Sequence, residues 1–125
     1  MIGKTLIVDD SLTVRMDLAD AFQAAGLPVV LAATAAETRL ALEREPIALV
    51  ILDIVLPDAD GLELLKEIRL STTTALKPAV LLLSTEAEVR DRIRGLQTGA
   101  DDYVGKPYDT GYVIARARAL LAERQ

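Results

Sequence analysis

Three aspartates that directly follow apolar runs of this sequence are the residues whose type and spacing suggest chemistry. Asp9 and Asp10 follow the first run, and Asp53 follows the third, within the stretch IALVILDIVLP. If these runs form adjacent strands, the carboxylates share one strand end, where two like charges about 4 Å apart repel by roughly 4 kcal/mol at an effective dielectric constant of about 20. The cluster therefore predicts a bound cation. Oxygen ligands with open water positions favour Mg²⁺ over Ca²⁺, because no dense oxygen-rich loop is visible in the sequence.

Each of these aspartates also has a purely structural interpretation. Asp53 alone could cap a loop before the proline-containing turn that follows it. Asp9 and Asp10 could cap the N-terminus of the next helix. The prediction of a metal site therefore depends on all three acids together.

Two further polar side chains follow later apolar runs. Ser84 comes after the fourth run, and Lys106 comes after the fifth, between Gly105 and Pro107. A lysine at a strand end would complement the acidic cluster, although most lysines are simply solvated. The Ser84 hydroxyl could donate a hydrogen bond to a ligand or, with Thr85, begin a helix.

Side chains at these positions can meet only if strands and helices alternate along the chain. Short apolar runs do alternate with amphipathic stretches, which is typical of strand-helix units in a parallel sheet. Three runs lack polar alternation, as expected of strands covered on both faces. In such sheets ligands bind beyond the carboxyl ends of the strands. The five predicted strands are 5–8, 29–32, 48–52, 79–83 and 102–104.

The stretches between the strands carry the signals of helix ends. Gly26 and Pro28 are predicted to end the first helix. The residues predicted to begin the five helices are Ser11, Thr34 with Glu37, Asp60, Thr85 with Glu88, and Asp109.

The composition limits what else the chain could do. Its 125 residues suit a single domain, and 19 acidic against 14 basic residues without a basic cluster argue against direct nucleic-acid binding. The chain has no cysteine and no histidine, which excludes disulfides, thiolate or imidazole metal sites and a histidine base. The short apolar stretch after Lys4 is interrupted by aspartates, so we expect neither a signal peptide nor membrane insertion, and we expect a cytoplasmic location.

Four motifs give these residues a family context. They are VDDS at 8–11, DIVLPDADG at 53–61, LLLS at 81–84 and GADDYVGKP at 99–107. In this order and at these separations, over essentially the whole chain, they make the sequence resemble the receiver domain of two-component response regulators, the chemotaxis-response-regulator-like fold. The resemblance implies an α/β fold of the doubly wound (βα)5 type, with a five-stranded parallel sheet in the order 2-1-3-4-5 and helices on both faces. It also implies that residues 1–125 form one receiver domain.

The resemblance assigns roles to the acidic residues. Asp53 would be the phosphoacceptor, Asp10 a direct Mg²⁺ ligand, and Asp9 a ligand that binds directly or through water. The Val55 backbone carbonyl would complete the protein ligands of the ion.

It also assigns roles around them. Ser84 and Lys106 would bind phosphoryl oxygens, the Lys106–Pro107 peptide bond is expected to be cis, and Tyr103 would match the aromatic side chain that swings inward on phosphorylation. A fixed, half-buried tyrosine is the alternative interpretation of Tyr103.

The function implied is a phosphorylation-dependent signalling switch rather than an enzyme, beyond its own Mg²⁺-dependent phosphorylation and dephosphorylation. The donor would be a histidine kinase or a histidine phosphotransfer protein. A downstream effector would bind the face formed by the fourth helix, fifth strand and fifth helix. The sequence leaves open whether the receiver acts alone or within a larger regulator or hybrid kinase.

Homodimerisation through the same face is also open. Arginines near Asp101 and Asp102 could make pairs between subunits, although such surface charges are more often solvated. These arginines are Arg90, Arg92, Arg94, Arg116 and Arg118.

Departures from the family pattern are modest. Ser84 stands where threonine is also common, and Ala59 replaces a bulkier apolar residue. Val55 and Glu86 occupy variable positions that flank the phosphoryl group, and apolar Val55 is expected to hinder attack by water.

Three other functions compete with the switch. An interaction module that has lost phosphorylation is disfavoured because every matched site residue is present. A phosphatase of the haloacid dehalogenase type needs a second aspartate where this chain has Val55. A flavodoxin-like electron carrier needs a phosphate-binding loop after the first strand, and none is visible.

Overall fold

Five parallel strands form the centre of the protein in the order β2-β1-β3-β4-β5. The computed structural model describes residues 3–71, 77–85, 97 and 99–123. The strands are β1 (Lys4–Val8), β2 (Val29–Ala32), β3 (Ile47–Asp53), β4 (Ala79–Thr85) and β5 (Asp102–Lys106). The predicted fold class and strand order are confirmed.

Three strands extend further toward their carboxyl ends than the sequence predicted. Asp53, Ser84 and Lys106 were expected to follow their strands, but each lies within the end of one. The reason is backbone pairing: Asp53 pairs with Leu83 and Ser84 pairs with Gly105. Pairing uses only main-chain groups, so a polar side chain does not end it.

Four helices flank the sheet in the described part of the chain. They are α1 (Leu12–Ala24), α2 (Ala35–Arg44), α3 (Gly61–Leu70) and α4 (Thr110–Ala122). The last of these, α4, is the fifth helix predicted from the sequence. The predicted fourth helix, with its Thr85 and Glu88 signal, falls largely outside the described residues.

The residues predicted to begin these four helices do so. Ser11 Oγ accepts a hydrogen bond from Val14 N–H at 3.3 Å, and Asp60 and Asp109 cap α3 and α4. The Thr34 hydroxyl accepts from Glu37 N–H at 3.1 Å, but the Glu37 carboxylate accepts from Ala33 N–H at 2.6 Å rather than from Thr34 as a capping box requires. At the end of α1, Gly26 adopts a φ of 77°, which glycine tolerates readily.

Alternate residues of each strand pack on opposite faces of the sheet, which produces two cores. One core joins the sheet to α2 and α3, and the other joins it to α1 and α4. The first core includes Leu6, Val50, Leu52, Val80, Leu82, Leu62 and Leu65. The second includes Ile7, Leu49, Ile51, Leu81, Leu83, Phe22, Val113 and Leu120. With both faces covered, the sheet holds its strand ends in fixed positions. Within the described ranges, no helix has the length and apolar character needed to cross a membrane.

Two acidic residues that the sequence left available for pairs between subunits have partners within the chain. Asp102 binds Arg116 at 2.5 Å, and Asp101 binds Arg69 at 2.6 Å. Arg118 donates to the Ala25 carbonyl at 3.1 Å. Arg90, Arg92 and Arg94 lie outside the described residues.

Arg69 joins the end of α3 to the strands beside it. Its guanidinium donates to the Gly99 carbonyl at 2.7 Å and the Pro78 carbonyl at 2.6 Å, in addition to its pair with Asp101. The same Asp101 oxygen accepts from Val80 N–H at 2.8 Å. The side chain of Arg69 is 21% exposed, so solvent replaces these partners poorly when they are lost.

We expect Arg69→Met to lower the free energy of unfolding by roughly 2 kcal/mol, because two carbonyls lose this donor and the Asp101 carboxylate loses its charged partner. Arg39→Met is the matched control, since Arg39 binds Glu67 with about half of each side chain exposed. The control should change stability by less than about 0.5 kcal/mol. Urea unfolding followed by circular dichroism measures both, and equal losses would contradict the assignment.

Candidate functional site

Strand register brings the three predicted aspartates together at the carboxyl end of the sheet. Val8 of β1 pairs with Leu52 of β3, so the next residues along, Asp9 and Asp53, lie side by side. Carboxylate oxygens of Asp9, Asp10 and Asp53 all lie within 4.8 Å of one another. Asp9 is 0% exposed and Asp53 is 6% exposed, whereas Asp10 is exposed. The expected acidic cluster therefore forms, with two of its carboxylates buried.

Asp9 is held on every side by hydrogen bonds. Its carboxylate accepts from Ser11 N–H at 2.9 Å and from Lys106 Nζ at 2.8 Å. Its carbonyl accepts from the Arg15 guanidinium at 2.7 Å, and its N–H donates to the Ala32 carbonyl at 3.1 Å. These bonds fix the segment that carries Asp10.

Lys106 supplies a positive charge to the cluster from the end of β5. Its ammonium lies 2.8 Å from Asp9 and 3.6 Å from Asp53. Burial acts to lower the pKa of Lys106, but the hydrogen bond to Asp9 and the charges of Asp53 and Asp9 outweigh it and leave the pKa raised. The lysine is therefore a fixed cation. The peptide bond between Lys106 and Pro107 is cis, as the resemblance implied.

The surroundings of Asp53 disfavour the ionised form of its carboxyl group. Burial and the charge of Asp9 raise its pKa from 3.8 to about 6, although Lys106 and the Val55 N–H act in the opposite direction. Two buried carboxylates, those of Asp9 and Asp53, thus share the ammonium of Lys106, and the exposed Asp10 carboxylate lies close to both. Additional positive charge would stabilise the ionised form of Asp53.

The loop from β3 to α3 is closed at its base against Asp53. Val55 N–H donates to the Asp53 carboxylate at 3.2 Å, Gly61 N–H donates to the Ile54 carbonyl at 2.6 Å, and Val55 forms a bridge with Asp60. A Cβ atom on Gly61 would lie 2.4 Å from the Asp53 carbonyl oxygen. Glycine is therefore required at this position by the close approach of the two backbones.

Ser84 lies at the end of β4, which is the strand between those of Asp53 and Lys106. It is 1% exposed, and its hydroxyl has no hydrogen-bond partner among the described residues. A buried hydroxyl without a partner is costly in a folded protein. This side chain is therefore suited to a ligand oxygen that enters the site.

The donor set of the cluster fits a hard divalent cation. It consists of the carboxylate oxygens of the three aspartates, and the described ranges contain no sulfur or imidazole ligand near it. Oxygen-only ligands are those that Mg²⁺ and Ca²⁺ prefer. The site could thus hold a metal ion.

Tyr103 is half-buried on β5 and packs against the core on the side of α2 and α3. Its hydroxyl lies 3.4 Å from the Thr85 carbonyl, next to Ser84. The half-buried position on a strand matches that part of the alternative interpretation of Tyr103. The inward movement on phosphorylation stays a prediction.

Three residues near the site were not identified from the sequence. Arg15 binds the Asp9 carbonyl, and Tyr108 donates to Asp17 at 2.8 Å and so ties the segment after Lys106 to α1. Asp58, in the loop after Asp53, accepts from two N–H groups of α2. The position of Arg15 in the first turn of α1, four residues after the capping residue Ser11, could have drawn attention to it, but no local signal identifies the partners of Tyr108 and Asp58.

Comparison with known proteins adds an independent line of support. The family model of the response regulator receiver domain matches residues 5–118. The transcriptional regulatory protein GltR of Pseudomonas aeruginosa is 40% identical over 120 residues, which cover 96% of this chain and 49% of GltR. The chain therefore spans about half the length of the curated relatives it matches.

Solved receiver domains have the same fold. The receiver domain of NtrX from Brucella abortus superimposes with a TM-score of 0.88 at 27% identity, covering 95% of this chain and 98% of that one. The BeF3-activated DrrB receiver domain superimposes with a TM-score of 0.84 at 27% identity, covering 98% and 99%.

The family match, the strand order and the acidic cluster at the strand ends agree with one another. The chain belongs to the response regulator receiver domains, the signalling switches of two-component systems.

Proposed function

We propose that this receiver is a phosphorylation-dependent switch that accepts a phosphoryl group on Asp53. The observation that carries the proposal is the pairing of a buried, ionisable Asp53 with two groups suited to phosphoryl oxygens. These are the Lys106 ammonium at 3.6 Å and the partnerless Ser84 hydroxyl. The two groups lie on the strands that follow β3 in the sheet, so all three side chains converge at one edge.

The reaction we propose is an in-line transfer from a phosphohistidine. A carboxylate oxygen of Asp53 attacks phosphorus and forms an O–P bond, while the P–N bond breaks and its electron pair stays on the imidazole nitrogen of the donor. No general base is needed, because Asp53 is mainly ionised at neutral pH even with its pKa raised to about 6. Lys106 offsets charge on the transferring group, and Ser84 donates a hydrogen bond to one of its oxygens.

We propose Mg²⁺ as the cation of the site, held by the carboxylates of Asp9, Asp10 and Asp53 and by the Val55 carbonyl. When bound, the ion supplies positive charge against the phosphoryl oxygens. The excess of carboxylates over the Lys106 ammonium and the raised pKa of Asp53 support this assignment.

The switch follows from the positions of the groups that contact the phosphoryl oxygens. Phosphorylation adds negative charge and acceptor oxygens at Asp53. Ser84 is the second-last residue of β4 and Lys106 is the last residue of β5, so a shift of either side chain would move the end of its strand. Tyr103 lies on β5, beside β4. We propose that this shift changes the face formed by β5, α4 and the predicted fourth helix, and so controls binding of an effector or a second copy of the chain.

The partners follow from the chemistry. The donor is a histidine kinase or a histidine phosphotransfer protein, and the whole of residues 1–125 serves as one receiver unit. GltR is named a transcriptional regulatory protein. We propose that this receiver likewise controls an effector that regulates transcription.

Incubation with acetyl phosphate and MgCl₂ is expected to add one phosphoryl group to the wild type, detected by intact mass. The addition should be lost without Mg²⁺ and in Asp53→Asn. The matched control is Asp20→Asn, which removes a carboxylate from the exposed face of α1 and should be phosphorylated like the wild type. A wild type that gains no mass while it binds Mg²⁺ would contradict the proposal and favour an interaction module.

Asp53→Asn should also stabilise the cation-free protein near neutral pH. Lys106 and the Val55 N–H stabilise the Asp53 carboxylate only in part, so its pKa is raised from 3.8 to about 6. At a pH where Asp53 is ionised in both the folded and the unfolded chain, this shift corresponds to a destabilisation of the folded state by roughly 1–3 kcal/mol. MgCl₂ should raise the melting temperature of the wild type more than that of the variant. Thermal unfolding with and without MgCl₂ measures both effects, and Asp20→Asn should change stability by less than about 0.5 kcal/mol. If Asp53→Asn is less stable than the wild type without a cation, then repulsion and burial of the Asp53 carboxylate do not destabilise the protein as predicted.

Val55→Asn should shorten the lifetime of the phosphorylated form. Val55 is 60% exposed beside Asp53, and an apolar side chain there neither orients nor attracts the attacking water. Loss of phosphoryl mass over time after removal of acetyl phosphate measures the lifetime, with Leu12→Asn, at an apolar position of α1 that is 64% exposed, as control. An unchanged lifetime in Val55→Asn would refute this role.

A further inference from the structure

Asp58 joins the loop after β3 to the beginning of α2. One carboxylate oxygen accepts from Ala35 N–H at 2.8 Å, and the other accepts from Ala36 N–H at 3.1 Å. These hydrogen bonds, that of Ala35 first, lower the pKa of the Asp58 carboxyl. The carboxylate is therefore ionised near neutral pH and sits where the helix dipole favours negative charge.

The helix has its own capping residue besides Asp58. Thr34 accepts from Glu37 N–H at 3.1 Å, as N-capping residues of isolated helices do. Asp58 instead comes from a segment that lies 22 and 23 residues away from its partners in sequence. Asp58 therefore connects the loop after β3 to the segment between β2 and α2.

The connection matters because both loops adjoin the acidic cluster. The end of β2, which leads into α2, accepts the Asp9 N–H through the Ala32 carbonyl at 3.1 Å. The loop after β3 begins at Asp53 and contains Val55. The segment from the end of β2 to the beginning of α2 thus contacts both segments that carry the aspartates, the first through Ala32 and the second through Ala35 and Ala36.

Within the loop after β3, the base and the tip are fixed by different contacts. Main-chain bonds of Gly61 with Ile54 and of Val55 with Asp60 close the base. At the tip, Asp58 supplies the hydrogen bonds that reach α2. The backbone of Val55 takes part in the closed base through its bridge with Asp60, on the same short loop as Asp58.

We propose that Asp58 is a positioning residue for the cation site, because it ties the tip of the β3–α3 loop to α2 and thereby holds the Val55 carbonyl beside the three carboxylates. The inference rests on the proposed function, in which that carbonyl is a ligand. Groups that orient metal ligands without touching the ion commonly change affinity by about tenfold or more.

The test is titration of the ¹⁵N-labelled full chain with MgCl₂, followed by amide chemical shifts. We expect a dissociation constant about tenfold higher for Asp58→Ala than for the wild type. Asp58→Asn should give an intermediate value, because the two N–H groups bind different carboxylate oxygens and asparagine replaces one of these oxygens with an NH2 donor. In the wild type, the amides of Ala35 and Ala36 should shift with the same dissociation constant as that of Val55.

Thr34→Ala is the matched control. It removes a cap from the same helix end but leaves the connection between the loops, so its Mg²⁺ affinity should stay within about twofold of the wild type even though the helix end is weakened. Thermal unfolding followed by circular dichroism identifies a temperature at which every variant is folded, and the titrations are done at that temperature. If Asp58→Ala does not fold, Asp58→Asn decides the question with an expected weakening of about threefold.

The outcomes separate the two proposals. Normal Mg²⁺ affinity in the Asp58 variants, with a wild type that binds Mg²⁺ and is phosphorylated, overturns the positioning role and leaves the proposed function intact. Equal weakening in Thr34→Ala also overturns it, because the effect would then come from the helix end alone. A wild type without Mg²⁺-dependent shifts near Asp10 and Asp53 overturns the proposed cation site and this inference with it.

Discussion

The crowding of carboxylates at the ends of β1 and β3 is the constraint on which the rest of the site depends. Parallel register places Asp9 beside Asp53, and both are buried. The Lys106 ammonium, at 2.8 Å and 3.6 Å, offsets part of their charge. Burial and the charge of Asp9 raise the pKa of Asp53, and the unbalanced negative charge makes the site receptive to a cation. The crowded carboxylates are unfavourable by themselves, and a ligand that binds them with positive charge would relieve this repulsion.

This crowding can persist because the sheet beneath it is rigid. Two aliphatic cores, one on each face, hold five strands whose ends cannot move apart without loss of packing. Asp53, Ser84 and Lys106 belong to paired strand ends rather than to loops. In the switch that we propose, a change in charge at Asp53 would therefore act on the backbone of neighbouring strands. Side chains in flexible loops could absorb the same change locally.

Several aspartates outside the cluster, among the described residues, accept hydrogen bonds from backbone N–H groups. Asp60 and Asp109 cap α3 and α4, Asp58 reaches α2, and Asp101 accepts from Val80 and Arg69. The acidic excess of the chain thus has a structural explanation as well as a chemical one. These aspartates join loops, helix ends and strand ends around the sheet, and the two apolar cores join the helices to the faces of the sheet.

Local patterns determined much of this protein. Apolar runs predicted the five strands, and Ser11, Asp60 and Asp109 predicted helix beginnings, because hydrophobic period and capping act between near neighbours in sequence. The types of the chemically useful side chains were equally visible. Only the tertiary structure decided how far β3, β4 and β5 extend, that Glu37 binds Ala33, and that Asp58 reaches α2. It also decided that Lys106 meets Asp9 across 97 residues. The physical reason is that strand register and packing, rather than neighbouring residues, set the distances between positions so far apart in the chain.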